Sequence, residues 1–206
     1  MNAYFSIYNI FFPFLKVYWY QVYSINLLRR HPMLNRKYMD NLITWKNTTN
    51  KKALVISGAR QVGKTFLVEA FAEKYYDSFI EINFIENPNL ISLFDGVLST
   101  ENILAGISLY LPGKKIISGK TLLFLDEIQE CPNAITALKF LSKSEEIDVI
   151  ASGSALGMAY NRATSFPVGS VEYVDMTSLY FREFLWALGI GDETINTIKE
   201  YFDETK

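Results

Sequence analysis

The apolar run Ala53-Leu-Val-Ile-Ser57 breaks directly into Gly58-Ala-Arg-Gln-Val-Gly-Lys-Thr65. Residues 58–65 fit the spacing G-x-x-x-x-G-K-[ST] without a mismatch. With average residue usage, a chance match in a chain of 206 residues has a probability on the order of one per cent or less. The feature demands a buried strand, a tight loop and a helix in immediate succession. A triphosphate needs several donors converging on its oxygens. Backbone N–H groups supply them where a chain wraps into a nest and enters a helix, whose first turn has unpaired N–H groups and a positive dipole end. Gly58 and Gly63 permit backbone angles and a close phosphate approach that a side chain would block. Ala59, Arg60, Gln61 and Val62 complete the cradle. Lys64 can reach the β- and γ-phosphates, and the Thr65 hydroxyl can ligate Mg²⁺. The plain alternative is a strand–turn–helix with a surface lysine, which the full match and its flanks argue against.

Residues 121–127, Thr-Leu-Leu-Phe-Leu-Asp-Glu, form a second motif. An apolar run ending in two acids reads as a central parallel strand that finishes at its carboxyl edge. Ligands of open α/β sheets sit at that edge. The strand would therefore deliver Asp126 to the metal, through its water shell, and Glu127 to the attacking water as a general base. Alone, such a run could equally end in a solvated acidic turn. Downstream of a complete phosphate loop the functional reading prevails.

The next strand, Ile147-Asp-Val-Ile-Ala151, runs into Ser152-Gly153-Ser154. A polar side chain here, beside the phosphate-loop strand, could touch the γ-phosphate or orient the water. Ser152 is the first candidate and Ser154 the second. A Ser-Gly turn of no chemical consequence is the competing reading.

Several segments carry a family resemblance: the loop at 58–65, Leu-Asp-Glu-Ile-Gln-Glu at 125–130, Gly-Ser-Ala-Leu-Gly at 153–157, Ser-Phe-Pro-Val-Gly at 165–169 and Phe-Arg-Glu-Phe-Leu-Trp at 181–186. Together they resemble prokaryotic AAA-type ATPases whose ATPase core is usually followed by a C-terminal domain of unknown function. The resemblance covers about residues 33–190. It implies an α/β P-loop NTPase fold, a parallel sheet sandwiched by helices, with an extra strand between the phosphate-loop and acidic-motif strands. It implies ATP rather than GTP. Family members usually carry Pro-Leu just before the Phe-x-Glu-Phe segment, where this chain has Thr177-Ser178-Leu179. They also usually continue well past position 206. The expected organisation is an aromatic-rich extension at 1–32, an ATPase core at 33–190 and the start of a truncated C-terminal helical region at 191–206.

Half the residues are hydrophobic, enough for one sizeable α/β core. A net charge of −2 and a pI near 5.5 give no bulk pull toward nucleic acid. A single Cys131 and a single His31 exclude a disulfide framework and a Cys/His metal cluster. Cys131, next to Pro132, reads as an incidental thiol, because no second histidine could activate it. A reducing cytoplasm fits this cysteine usage.

Helical spacing places Tyr38, Leu42 and Trp45 on one stripe of 37–48, and Leu67, Phe71 and Tyr75 on one stripe of the helix after the loop. Residues 79–84 alternate as a strand, with Phe79, Glu81 and Asn83 on one face. Helix-like stretches at 89–95 and 99–111 fill the crossover. Pro132 opens a helix with Ile135, Leu138 and Leu141 inward. Val171–Met176 is the last strand. Ser178 can cap a helix with Phe181, Leu185 and Leu188 on one face, ended by Gly189 and Gly191.

Arg60, inside the loop, could contact a phosphate or a flanking acid. Arg162 could reach a neighbouring subunit's nucleotide, which would require a homo-oligomer. For both, a solvated arginine is the competing reading. Residues 1–28 hold ten aromatics and one charge, Lys16. The segment could contact a membrane, pack as an apolar arm, or precede the true start. The family-like motifs begin at Met33, which favours the last reading.

These readings converge on Mg-dependent hydrolysis of ATP to ADP and phosphate. The rivals are a nucleotide-gated binding module with little turnover and, behind it, a small-molecule kinase. A kinase lid usually carries several arginines, and 153–176 has only Arg162. The protein or nucleic-acid partner on which the ATP is spent has no sequence signature.

Overall fold

A computed structural model describes residues 36–154, 167 and 169–204. Residues 1–32, Arg162 and most of 153–169 therefore lie outside or largely outside the described residues. The chain forms two compact units, one spanning Lys37–Ser178 and the other containing Leu179–Lys206 together with Met1–Arg36.

The first unit holds a five-stranded sheet in the order β2-β3-β4-β1-β5. Its strands are β1 (Ala53–Ser57), β2 (Ser78–Asn83), β3 (Thr121–Asp126), β4 (Ile147–Gly153) and β5 (Val171–Asp175). All neighbouring pairs run parallel. As expected, β4 stands between the phosphate-loop strand β1 and the acidic strand β3. The helices of this unit are α1 (Tyr38–Lys46), α2 (Lys64–Tyr75), α3 (Thr100–Tyr110) and α4 (Pro132–Leu141).

Side chains alternate across the pleat, so one strand feeds both faces of the sheet. Leu54 and Ile56, Leu122 and Phe124, and Ile150 pack with α1 and α2 through Leu42, Trp45, Leu67 and Phe71. Val55, Leu123, Leu125, Val149 and Ala151 pack on the other face with α3 and α4 through Ile103, Ile107, Ile135 and Leu138. Burial on both faces explains why these strands read as continuous apolar runs. On the edge strand β2, Ile80 and Ile82 are buried and Phe79, Glu81 and Asn83 turn the other way, as the alternation predicts.

The same alternation positions the polar residues. Asn83 shares the parity of Phe79, Asp126 that of Phe124, and Ser152 that of Ile150. All three therefore belong to the face covered by α2, the helix that grows out of the phosphate loop. The stripes expected for α1 and α2 also hold: Tyr38, Leu42 and Trp45 are buried, as are Leu67 and Phe71, while Tyr75 is half-buried. The stretch expected as a helix near 89–95 is a 3-10 segment, Pro88–Phe94, that packs Leu90 and Phe94 into the core.

The second unit contains α5 (Phe181–Ala187) and α6 (Asp192–Glu204). Here one expectation fails. Ser178 does not cap α5: the helix starts three residues later, and the Tyr180 backbone N–H donates to the Glu183 carboxylate over 2.9 Å. Glu183 is buried and ion-paired with Arg36 at 3.4 Å, so a buried acid, not a serine hydroxyl, fixes this terminus. The expected apolar stripe is also incomplete, since Leu185 is buried while Phe181 is 73% exposed. No helix among the described residues is long and apolar enough to cross a membrane.

Candidate functional site

The site lies at the carboxyl edge of the sheet, where β1 turns into α2. Gly58 has φ +151°, Gln61 +65° and Gly63 +91°, so the loop repeatedly leaves the right-handed region. At Gly58 the structure adds a second reason to the one expected from sequence. A Cβ there would stand 2.2 Å from the Met176 carbonyl oxygen, so the chain leaving β5 by itself requires glycine at this position. The same approach is tied by the Met176 N–H, which donates to Ser57 O over 2.7 Å, and by the Ser57 hydroxyl on Asp175 at 2.8 Å.

Lys64 opens α2 and is only 6% exposed. Its ammonium donates to the carbonyls of Gly58 and Ala59, each at 2.9 Å. An ammonium has three N–H donors. Among the described residues no carboxylate forms an ion pair with it. A buried, uncompensated cation is costly in protein and is offset by an anionic ligand. The backbone N–H groups of Arg60, Gln61, Gly63, Lys64 and Thr65 also have no protein acceptor among the described residues. Arg60 is exposed and makes no ion pair among them.

Asp126 is 2% exposed and, among the described residues, accepts from neutral donors alone. Thr65 Oγ1 donates to its Oδ2 over 2.8 Å and Asn83 Nδ2 to the same oxygen over 3.2 Å. The Glu127 backbone N–H reaches Oδ1 at 3.0 Å, and the Ser152 hydroxyl also donates to Oδ1. Register explains the set, since Asn83 pairs with Asp126 and Leu125 with Ala151, one step before Ser152. Ser152 is fully buried and its hydroxyl is committed to Asp126. Half-buried Glu81 is held above the usual carboxyl range by burial first, then by Glu69, Asp126 and Glu86. A dry carboxylate beside a hydroxyl, in acidic surroundings, suits a hard oxygen-seeking cation such as Mg²⁺.

Glu127 follows Asp126 with a left-handed backbone, φ +52°. Its carboxylate accepts from Gln129 Nε2. Asn83 and Gln129 are the polar partners that sequence reasoning missed. Asn83 carries a usable signal, since it ends β2 on the face shared with Asp126. The Gln129 contact depends on a turn that no periodicity predicts. Cys131 is buried and its thiol is pushed up to about 11 by burial, which fits an inert thiol.

A parallel sheet in this order, with a glycine-lysine loop between β1 and α2 and an acid ending the strand two places away, defines a P-loop NTPase fold. The model of a family described as an AAA domain matches residues 50–185. The chain belongs to this AAA domain family, a class of ATPase-type nucleotide-binding domains that uses ATP and Mg²⁺. Among solved structures it is similar to the Walker-type ATPase Paby2304 of Pyrococcus abyssi. That match has a TM-score of 0.52 at 15% identity and covers 82% of this chain and 60% of that one. It is also similar to the Orc1 protein of Aeropyrum pernix, solved in complex with DNA. Here the TM-score is 0.51 at 13% identity, over 79% of this chain and 52% of that one. The chain thus spans between half and two thirds of the length of these neighbours. No curated protein matches its sequence.

Proposed function

We propose that this chain binds MgATP and hydrolyses it to ADP and phosphate. The observation that carries the proposal is a pair of unanswered charges on one sheet edge. Among the described residues, Lys64 is a buried cation held by carbonyls alone, and Asp126 is a buried anion held by neutral donors alone. A metal–triphosphate answers both.

Residues 58–65 would cradle the phosphates, with Lys64 on the β- and γ-phosphates. The Thr65 hydroxyl and the Asp126 carboxylate would hold Mg²⁺, which supplies positive charge against the phosphate oxygens. Asn83 and Ser152 orient Asp126. In this reading Ser152 acts through Asp126, which its hydroxyl already serves, and not by direct contact with the γ-phosphate or the water. Glu127 takes the proton of the attacking water as general base. The outcome is inorganic phosphate with water as the acceptor, which separates this reading from a kinase.

Glu127→Gln should keep MgATP bound and lose turnover by about 10²-fold or more. Phosphate release and the binding of a fluorescent ATP analogue, measured on the same preparations, check this. Unchanged turnover in the variant would move the base elsewhere. Turnover immeasurable in the wild type, with binding intact, would identify a nucleotide-gated module instead.

A further inference from the structure

Gln129 serves neither the metal nor the phosphates in the reading above, yet its surroundings are built with care. It sits in the 3-10 turn Ile128–Glu130 immediately after Glu127. That turn is closed by the Glu130 N–H on Glu127 O and the Cys131 N–H on Ile128 O, each at 3.0 Å. Ile128 is 1% exposed and anchors the turn in the core. The root of the Gln129 side chain is therefore fixed.

Its amide end is equally specific. Nε2 donates to Glu127 Oε2, while Oε1 is buried without a hydrogen-bond partner among the described residues. An amide placed for its own stability would satisfy both ends. Among the described residues this one commits its donor to a single carboxylate. Glu127 meanwhile holds a left-handed backbone, which a non-glycine residue adopts only under constraint. No other side chain among the described residues donates to its carboxylate. The orientation of Glu127 thus depends on its strained backbone and on Gln129.

We propose that Gln129 is a positioning residue, whose amide N–H holds the Glu127 carboxylate in the orientation that water activation requires. The proposal rests on the reading of Glu127 as the base. It assigns Gln129 an effect on the chemical step and none on nucleotide affinity, because among the described residues no hydrogen bond links its amide to the loop or to a metal ligand.

The test combines Gln129→Leu with Glu127→Gln, singly and together. Phosphate release gives kcat and KM, nucleotide titration gives the MgATP dissociation constant, and melting reports folding. Gln129→Leu should lower kcat on the order of tenfold to a hundredfold, as displaced catalytic groups do, with affinity and melting temperature unchanged. In the Glu127→Gln background it should cause no further loss, because it acts through that carboxylate. Gln129→Asn, one methylene shorter, should show the same kcat loss and keeps the test valid if the leucine variant folds poorly. Unchanged kcat overturns the proposal, as does an equal fractional loss in both backgrounds. Wild-type turnover in Glu127→Gln alone would instead sink the base reading, and the positioning role with it.

Discussion

Two aspartates on neighbouring strands of one sheet face meet opposite environments. Asp148, near the start of β4, is surrounded by cations and a phenol. Lys51 lies 2.8 Å away and Lys46 3.9 Å, and the Tyr76 hydroxyl donates over 2.6 Å. Lys46 also sits over the Tyr76 ring at 3.6 Å. The phenol is pushed well above its usual range by burial first and by its bond to Asp148 next. Among the described residues, Asp126, at the end of β3, has only hydroxyl, amide and backbone donors, and Lys64 has only carbonyls. In the first cluster the carboxylate is answered by cations within the protein, and the cluster serves stability. The second leaves its balance open. Burial alone does not separate them, since both carboxylates are largely dry. What marks the candidate site is buried charge without a protein counter-charge.

That contrast can be broken at either end. The largest effect is expected at Lys64. Lys64→Ala should weaken MgATP binding more than tenfold, since a charge-assisted hydrogen bond contributes about 1.5–3 kcal/mol. Without nucleotide its melting temperature should hold or rise, because an uncompensated buried cation is gone. A fall in stability with unchanged affinity would place Lys64 in the structural class and erase the contrast.

Asp148→Ala should do the reverse. Loss of its partly exposed ion pairs and of the tyrosine bond should destabilise the protein by about 1–3 kcal/mol, a drop of several degrees. Nucleotide affinity should stay at the wild-type value. A titration and a melt of the same sample decide it, and a loss of affinity would couple the two clusters.

The smallest effect sharpens the role of burial itself. Cys131 is buried in its neutral form, with its thiol pushed up to about 11 from an ordinary 9.0. Its contribution is fully present below pH 9 and is lost as pH rises toward 11, because the unfolded thiol releases its proton first. Between pH 8 and 10.5 the wild type should therefore lose more stability than Cys131→Ala. Parallel melting curves would show that the thiol is not dry.

Much of this was legible in the chain. The apolar runs gave the strands, because a sheet buried on both faces has no other composition. The loop spacing located the phosphate cradle and the acid pair located the strand two places away. Side-chain commitments were less legible. Ser152 looks from sequence like a group open to ligand, yet register and parity bring its hydroxyl onto Asp126. Asn83 reads as one polar residue in an alternating edge strand, and only pairing with β3 reveals its partner. Ser178 resembles a helix cap, but the buried pair of Glu183 and Arg36 determines where α5 starts. In each case a long-range contact outweighed the local pattern.

The Met176 carbonyl stands where a side chain at position 58 would have to go. Folding and ligand binding therefore select for the same absent methyl group. A descendant that had abandoned nucleotides altogether would still keep glycine there, because the chain leaving β5 passes through that space. Glycine at this position is a poor witness to whether such a loop still works. Lys64, a buried cation that no carboxylate among the described residues answers, is the residue whose loss would record the change.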